Sequence, residues 1–211
     1  MITALTVVSP EWAGLLGSWS ERVRRHATEV AFGRVAPATP TWKWEALLSL
    51  SGQVLYLDVD LWLVRDIREE LAGFDFSKIG MVIDQGIYCC GSASNVHQRF
   101  VGGVYCNAGV LLIDMGNPAH REVIVQARNW LAETVARCGL TGGDAWFMEQ
   151  TAINMAVHRS GLFRSLHPGL NYMPHVTQSG PPPDPVYAVH AAGCSMSDKE
   201  CRLAEFEERF I

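Results

Sequence analysis

Short apolar runs alternate along the chain with longer segments whose apolar residues recur every three or four positions. Ile2 to Val8 is the first run and reads as a strand. Glu11 to His26 follows, with Trp12, Leu15, Leu16, Trp19 and Val23 at helical spacing. Glu29 to Val35 is a short strand candidate, and Pro37 and Pro40 mark a loop. Trp42 to Leu50 reads as a helix that Gly52 stops. Val54 to Asp58, Ile79 to Ile83 and Gly103 to Asp114 are apolar over most of their length. That pattern belongs to strands buried on both faces, and so predicts that all three runs belong to a parallel sheet.

Asn117 caps the next helix, Pro118 occupies its first turn and Gly139 ends it. Its buried stripe is Val123, Ile124, Ala127, Leu131, Val135 and Cys138. Asp144 is expected to cap a further helix through Arg159, ended by Gly161. Gly180 to Pro183 is a stiff loop, Val186 to His190 a last strand and Asp198 to Phe210 a closing helix. Strands alternating with helices predict a three-layer α/β/α domain spanning residues 1–211, built on one mixed, mostly parallel sheet. Ligands of such sheets bind beyond the carboxyl ends of the strands. Asp58, Asp60, Asn107 and His190 fall at or near those ends.

Composition narrows the function. The chain has 211 residues, 48% hydrophobic, enough for one sizeable core. A net charge of −5 with no Lys/Arg run argues against extended nucleic-acid binding. Cys89, Cys90, Cys106, Cys138, Cys194 and Cys201 form no CxxC pair and no zinc signature, so reduced thiols are expected. No signal-peptide pattern opens the sequence and no apolar stretch has the roughly 18 residues a membrane span needs. The expected setting is the cytoplasm, with the inner face of a membrane open as a peripheral site.

Asp58-Val59-Asp60 carries the candidate chemistry. Two carboxylates one residue apart, directly after a buried strand, can point into one cleft and hold a hard cation such as Mn²⁺ or Mg²⁺. Alone the pattern is weak, because composition gives a chain this long roughly an even chance of one Asp-x-Asp. A solvated turn with a capping aspartate is the competing reading.

The surroundings decide between them. Val54-Leu55-Tyr56-Leu57-Asp58-Val59-Asp60, with Val64 and Ile67, resembles the VLYLDxD segment of the retaining glycosyltransferases of family 8. These are of the glycogenin and lipooligosaccharide galactosyltransferase type and have the GT-A fold. Four more segments match in order. Lys43-Trp44 with Leu47 and Leu48 is similar to the helix before that strand. Cys106 to Asp114 is similar to the FNAGVLLID strand, Glu149 to Asn154 to the DQDxLN helix start, and Val189 to Gly193 to the HFxG strand.

The resemblance implies a metal-dependent transferase that moves a hexose from a nucleotide-diphosphate sugar, UDP-hexose above all, with retention of configuration. The acceptor is an unspecified glycan, lipid or protein. It implies Asp58, Asp60 and His190 as ligands of Mn²⁺ or Mg²⁺, with Asp58 also touching the donor ribose. Asn107 and Ala108 would line the donor-sugar pocket, and Lys43 would reach the donor's phosphate or sugar. Glu149 and Gln150 would lie at the catalytic face, Gln150 supporting the developing oxocarbenium charge. Lys199 is the candidate phosphate lysine. Asp84, at a strand end, could touch the sugar, although a turn role fits it better.

The pattern has departures. Glu149 stands where the family has aspartate, and the KPW after the HFxG strand is missing, so Lys199 takes a shifted position. A haloacid-dehalogenase-type phosphohydrolase, with Asp58 as nucleophile, and a nucleotide-sugar-binding protein without turnover are the competing functions. Against the hydrolase, Trp62 stands where that family has Thr or Val. No GxGxxG follows the first strand, which argues against a dinucleotide site. Trp12, Trp19 and Trp130 read as core, and Trp62 as packing under the Asp-x-Asp segment.

Overall fold

A computed structural model of the protein describes residues 1–36, 39–84, 104–140, 142–174, 181–192 and 196–210. Pro37, Cys89, Cys90, Gly103, Gly180, Gly193 and Cys194, named above, lie outside them.

β1 (Thr3–Val8) leads through a 3₁₀ segment (Pro10–Leu15) into α1 (Leu16–His26), and β2 (Ala31–Val35) and α2 (Trp42–Leu48) follow. Next come β3 (Gln53–Leu57), β4 (Leu61–Leu63), α3 (Arg68–Ala72), β5 (Ile79–Ile83) and β6 (Cys106–Asp114). The chain continues with α4 (Pro118–Cys138), α5 (Gly142–Ser160), β7 (Phe163–Ser165), a 3₁₀ turn (Pro168–Asn171), β8 (Ala188–His190) and α6 (Met196–Phe210). Six strands form the main sheet in the order β2-β1-β3-β6-β5-β7. β1 runs parallel to β2 and β3, and β5 runs parallel to β7. β6 is antiparallel to both of its neighbours. The sheet is therefore mixed and mostly parallel, as the sequence pattern predicts. β6 is apolar because both of its faces are covered, and that pattern carries no information on strand direction.

Alternation along the strands divides the core into two layers. Leu5, Val7, Val54, Tyr56, Leu111 and Ile113 face Trp44 and Leu47 of α2, Val123, Ile124, Ala127 and Leu131 of α4, and Ile153 and Val157 of α5. Ala4, Val8, Leu55, Leu57, Val110 and Leu112 face Leu15, Trp19 and Val23 on the other side. In α4, the Asn117 side chain accepts a hydrogen bond from the Ala119 N–H, and Gly139 takes φ 61°. The stripe ends one turn early, because Cys138 is exposed.

Other local expectations change as well. α5 starts at Gly142, so Asp144 lies inside the helix rather than capping it. β8 does not join the main sheet. It pairs antiparallel with β4 over three residues, with Leu61 opposite His190, and forms a separate ribbon. Trp62, Val64, Val189, Leu203 and Phe206 pack this ribbon against α6. The chain passes from β1 to β2 on one side and returns to β3 on the other, which leaves a crevice beyond their carboxyl ends.

Candidate functional site

A cleft of about 360 Å³ occupies that crevice. Its walls include Val8 and Ser9 at the end of β1, Asp58 to Asp60 after β3, Asn107 to Gly109 of β6, and Glu149 and Gln150 of α5. Lys43, His190 and Lys199 also line it, so the sequence-predicted site residues share one cavity, except Asp84, which is not among its lining residues.

Strand register brings the metal candidates together. After β3, the Leu61 N–H donates to Asp58 O, which turns the chain through Asp58-Val59-Asp60 into β4. The Leu61–His190 pairing and the Ala191 N–H bond to Asp60 O then set His190 beside the turn. His190 Nε2 lies 3.3 Å from Asp60 Oδ1 and 3.9 Å from Asp58 Oδ2. One ligand atom from each of Asp58, Asp60 and His190 falls within 4.8 Å of the others.

These residues fit a small divalent cation. Adjacent ligands around an octahedral ion at about 2.1 Å lie about 3 Å apart; His190 Nε2 and Asp60 Oδ1 are near that separation at 3.3 Å, and the Asp58 oxygen would close in from 3.9 Å. Each candidate ligand also has a partner that fixes its orientation. His190 Nδ1 bonds Asn171 Oδ1 at 2.7 Å, and with that oxygen as acceptor Nδ1 carries the proton and Nε2 faces the carboxylates. The Tyr56 hydroxyl donates to Asp58 Oδ1 at 2.9 Å, and the Lys199 ammonium donates to Asp60 Oδ2. Gly109 forms the floor. A Cβ there would lie 2.8 Å from each of Asn107 Oδ1, Asp58 Oδ2 and His190 Cε1, so only a bare backbone leaves the three side chains room.

The other half of the cleft centres on a bulge. Between Met81 and Val82 the β5–β6 register shifts, which takes Ala108 out of that ladder. Side chains satisfy its backbone instead. Ala108 N–H donates to Gln150 Oε1 at 3.0 Å, and Lys43 Nζ donates to Ala108 O at 3.0 Å. Gln150 Nε2 donates to Asp84 Oδ2 at 3.2 Å, which holds the amide plane at both ends. Asn107 Oδ1 accepts from the Gly109 N–H at 2.7 Å. Asp84 thus supports Gln150. Lys43 is 3% exposed, pairs with Glu149 at 2.6 Å and Asp58 at 3.6 Å, and stands 4.4 Å above the Tyr56 ring.

Charges in the two halves shift in different directions. Burial alone would raise Asp60, but His190 and then Lys199 override it and hold the carboxyl well below the usual range. Glu149 moves the other way, because burial outweighs the pull of Lys43. Burial would lower Lys43, yet Asp58 and Glu149 keep its ammonium charged and raise its pKa. Burial and then Asp58 keep the Tyr56 phenol protonated. Behind the cleft, burial pushes the Cys106 thiol up to about 12, so it packs as an inert apolar group.

Several lining residues were not anticipated. Trp12 belongs to the 3₁₀ segment and is only partly buried at the cleft edge, with Lys199 Nζ 4.2 Å from its ring. Trp42 also lines the cleft. Trp19 is fully buried and Trp130 partly so, while Trp62 packs under the ribbon with Arg22 3.7 Å over its ring. Asn171 and Tyr56 enter only through partners brought close by the fold.

No family model and no curated protein sequence matches the chain. Solved structures do. The galactosyltransferase LgtC in complex with donor and acceptor sugar analogs aligns with TM-score 0.64 at 15% identity, over 100% of this chain and 96% of that one. A glycosyltransferase involved in glycosylation of the major capsid of PBCV-1 aligns with TM-score 0.61 at 14% identity, over 97% and 98%. The glycosyltransferase GlyE of Streptococcus pneumoniae TIGR4 aligns with TM-score 0.54 at 17% identity, over 82% of this chain and 47% of that one. No helix among the described residues is long and apolar enough to cross a membrane. The chain therefore has the GT-A fold, in the form these glycosyltransferases share.

Proposed function

We propose that the protein is a metal-dependent glycosyltransferase, acting as one unit over residues 1–211, that transfers a hexose from a UDP-sugar to a glycan, lipid or protein acceptor with retention of configuration. The observation that carries this reading is the convergence of Asp58, Asp60 and His190 over the Gly109 floor of the cleft.

Asp58, Asp60 and His190 would hold Mn²⁺ or Mg²⁺. When bound, such an ion is a Lewis acid that stabilises negative charge on a diphosphate leaving group, worth several kcal/mol. Lys199, beside Asp60, adds a second cation on the same side and would engage the phosphates. The Trp12 ring above it offers a flat apolar face for a base. Asp58, half-buried, has room to contact the ribose as well. On the opposite side Asn107 and Ala108 would border the sugar. Gln150 is held by Ala108 and Asp84 and supplies a fixed dipole towards the anomeric centre, where positive charge develops. Glu149, bound to Lys43, contributes negative potential beside it.

A thermal-shift screen of nucleotide sugars with and without Mn²⁺ tests the reading. A donor at about 100 times its Kd stabilises by about 2.7 kcal/mol. UDP-hexoses are expected to raise the midpoint only with the metal, and slow release of free hexose is expected from the bound donor. No shift with any nucleotide sugar would remove the reading. A shift without donor turnover in the presence of candidate acceptors would favour a binding protein, and phosphoaspartate on Asp58 would favour the hydrolase.

A further inference from the structure

We propose that Tyr56 is a positioning residue that sets the orientation of the Asp58 carboxylate, and so the affinity of the site for its cation; the inference rests on the metal reading above. The geometry behind it is a division of labour between the two oxygens of Asp58. Oδ1 takes the Tyr56 hydroxyl at 2.9 Å and faces Lys43 Nζ at 3.6 Å. Oδ2 faces His190 Nε2 at 3.9 Å and the bare Gly109 backbone. One oxygen is thus tied to the protein interior, and the other is turned to the cation position.

The sequence explains why Tyr56 can do this. Side chains two apart on an extended chain share a face. Tyr56, the penultimate residue of β3, and Asp58, just past its end, therefore project to the same side, towards α2 and α5. The Tyr56 ring is wedged in the core at 2% exposure, and Lys43 sits over it. A hydroxyl on so rigid a support fixes its partner at low entropic cost. The Asp58 carboxylate is the most exposed of the three candidate ligands, at 32% against 10% for Asp60 and 3% for His190, and Lys43 stands beyond hydrogen-bond distance from it at 3.6 Å. His190 and Asp60 are already held by Asn171 and Lys199. Tyr56 supplies the missing third restraint.

The test is Mn²⁺ binding by electron paramagnetic resonance, in the absence of donor, for wild type, Tyr56→Phe, Asp58→Asn and the double variant. Tyr56→Phe keeps the ring beneath Lys43 and removes only the hydroxyl. About 10-fold weaker Mn²⁺ binding is expected, the lower end of the loss seen when an outer-shell partner of a metal ligand is removed. Its apparent metal constant in turnover is expected to rise by the same factor, with kcat at saturating Mn²⁺ unchanged. In the Asp58→Asn background the same substitution should cost almost nothing further, since the hydroxyl acts through that carboxylate. Unchanged Mn²⁺ affinity in Tyr56→Phe, with or without a lower melting temperature, would leave Tyr56 a purely structural role and overturn the proposal. Additive losses in the double variant would overturn it too. If wild type binds no Mn²⁺, it is the metal reading of the site that fails, and the inference falls with it.

Discussion

The two halves of the cleft are built by different devices. The half around Asp58, Asp60 and His190 hangs on a tight turn and on a three-residue ribbon whose register puts His190 opposite Leu61. The half around Ala108 and Gln150 is a bulged strand met by two helices, with its backbone bonded to Lys43 and Gln150 side chains. The first sets two carboxylates and an imidazole nitrogen around one point, a donor set that suits a cation. The second is a set of ion pairs and amide bonds joined to the first through Lys43 and Asp58. Metal affinity should therefore respond to changes in the first half, and the chemical step to changes in the second.

Asp60→Ala should have the largest effect. Removing the buried ligand is expected to lower Mn²⁺-dependent donor turnover by at least about 1000-fold, the loss of several kcal/mol of leaving-group stabilisation, with circular dichroism unchanged. Activity near wild type would take the metal role from Asp60. Gly109→Ala strikes both halves at once, because the new methyl meets Asn107, Asp58 and His190. It should weaken both Mn²⁺ and donor binding by more than 10-fold, and an unaffected double titration would show that the floor does not constrain the site.

Two further variants separate the halves. Gln150→Ala should reduce kcat by about 100-fold, as loss of one oriented dipole does, while Mn²⁺ affinity stays within about 2-fold. His190→Ala should do the reverse, weakening Mn²⁺ about 10-fold with a smaller fall in kcat at saturating metal. If both variants moved metal affinity equally, the division would collapse.

The smallest effect concerns pH. The folded-state pKa of Asp60 is depressed, so its contribution to stability is present above its unfolded value near 3.8 and is lost as pH falls below that value. That of Glu149 is raised, so its contribution is present below 4.5 and is lost as pH rises through the folded value. Asp60→Asn should flatten the acid limb of the stability curve below about pH 4, and Glu149→Gln should flatten the decline above pH 4.5. Melting temperatures across pH 3 to 8 check both signs.

Much of this was legible in the sequence. Val54 to Leu57 announces a buried strand, and the acids after it announce the cleft, because burial and strand ends are local properties. The helix stop at Gly139 and the cap at Asn117 are equally local. Residues that work through distant partners were harder to read. Asn171 precedes Tyr172, whose carbonyl accepts the His190 N–H, and nothing near residue 171 signals a histidine nineteen positions away. Gly109 sat inside a recognisable segment, yet its reason appears only when Asp58 and His190 close over it. Trp12 reads as core when α-helical spacing is carried from Glu11 through His26, but Pro10–Leu15 forms a 3₁₀ segment. The 3₁₀ turn there advances about 120° per residue instead of about 100°, so a wheel drawn with α spacing misplaces the ring. The direction of β6 was hidden for another reason, since an apolar run looks the same in either direction.

On the proposed reading, the residue 58–60 turn and His190 together would make one cation site that a UDP-sugar completes. Calorimetric titration of Mn²⁺ into the protein, with and without UDP, measures it directly. One ion per chain is expected, bound at least about 10-fold more tightly when UDP is present. Mn²⁺ binding of equal strength with and without UDP, or none at all, would contradict it.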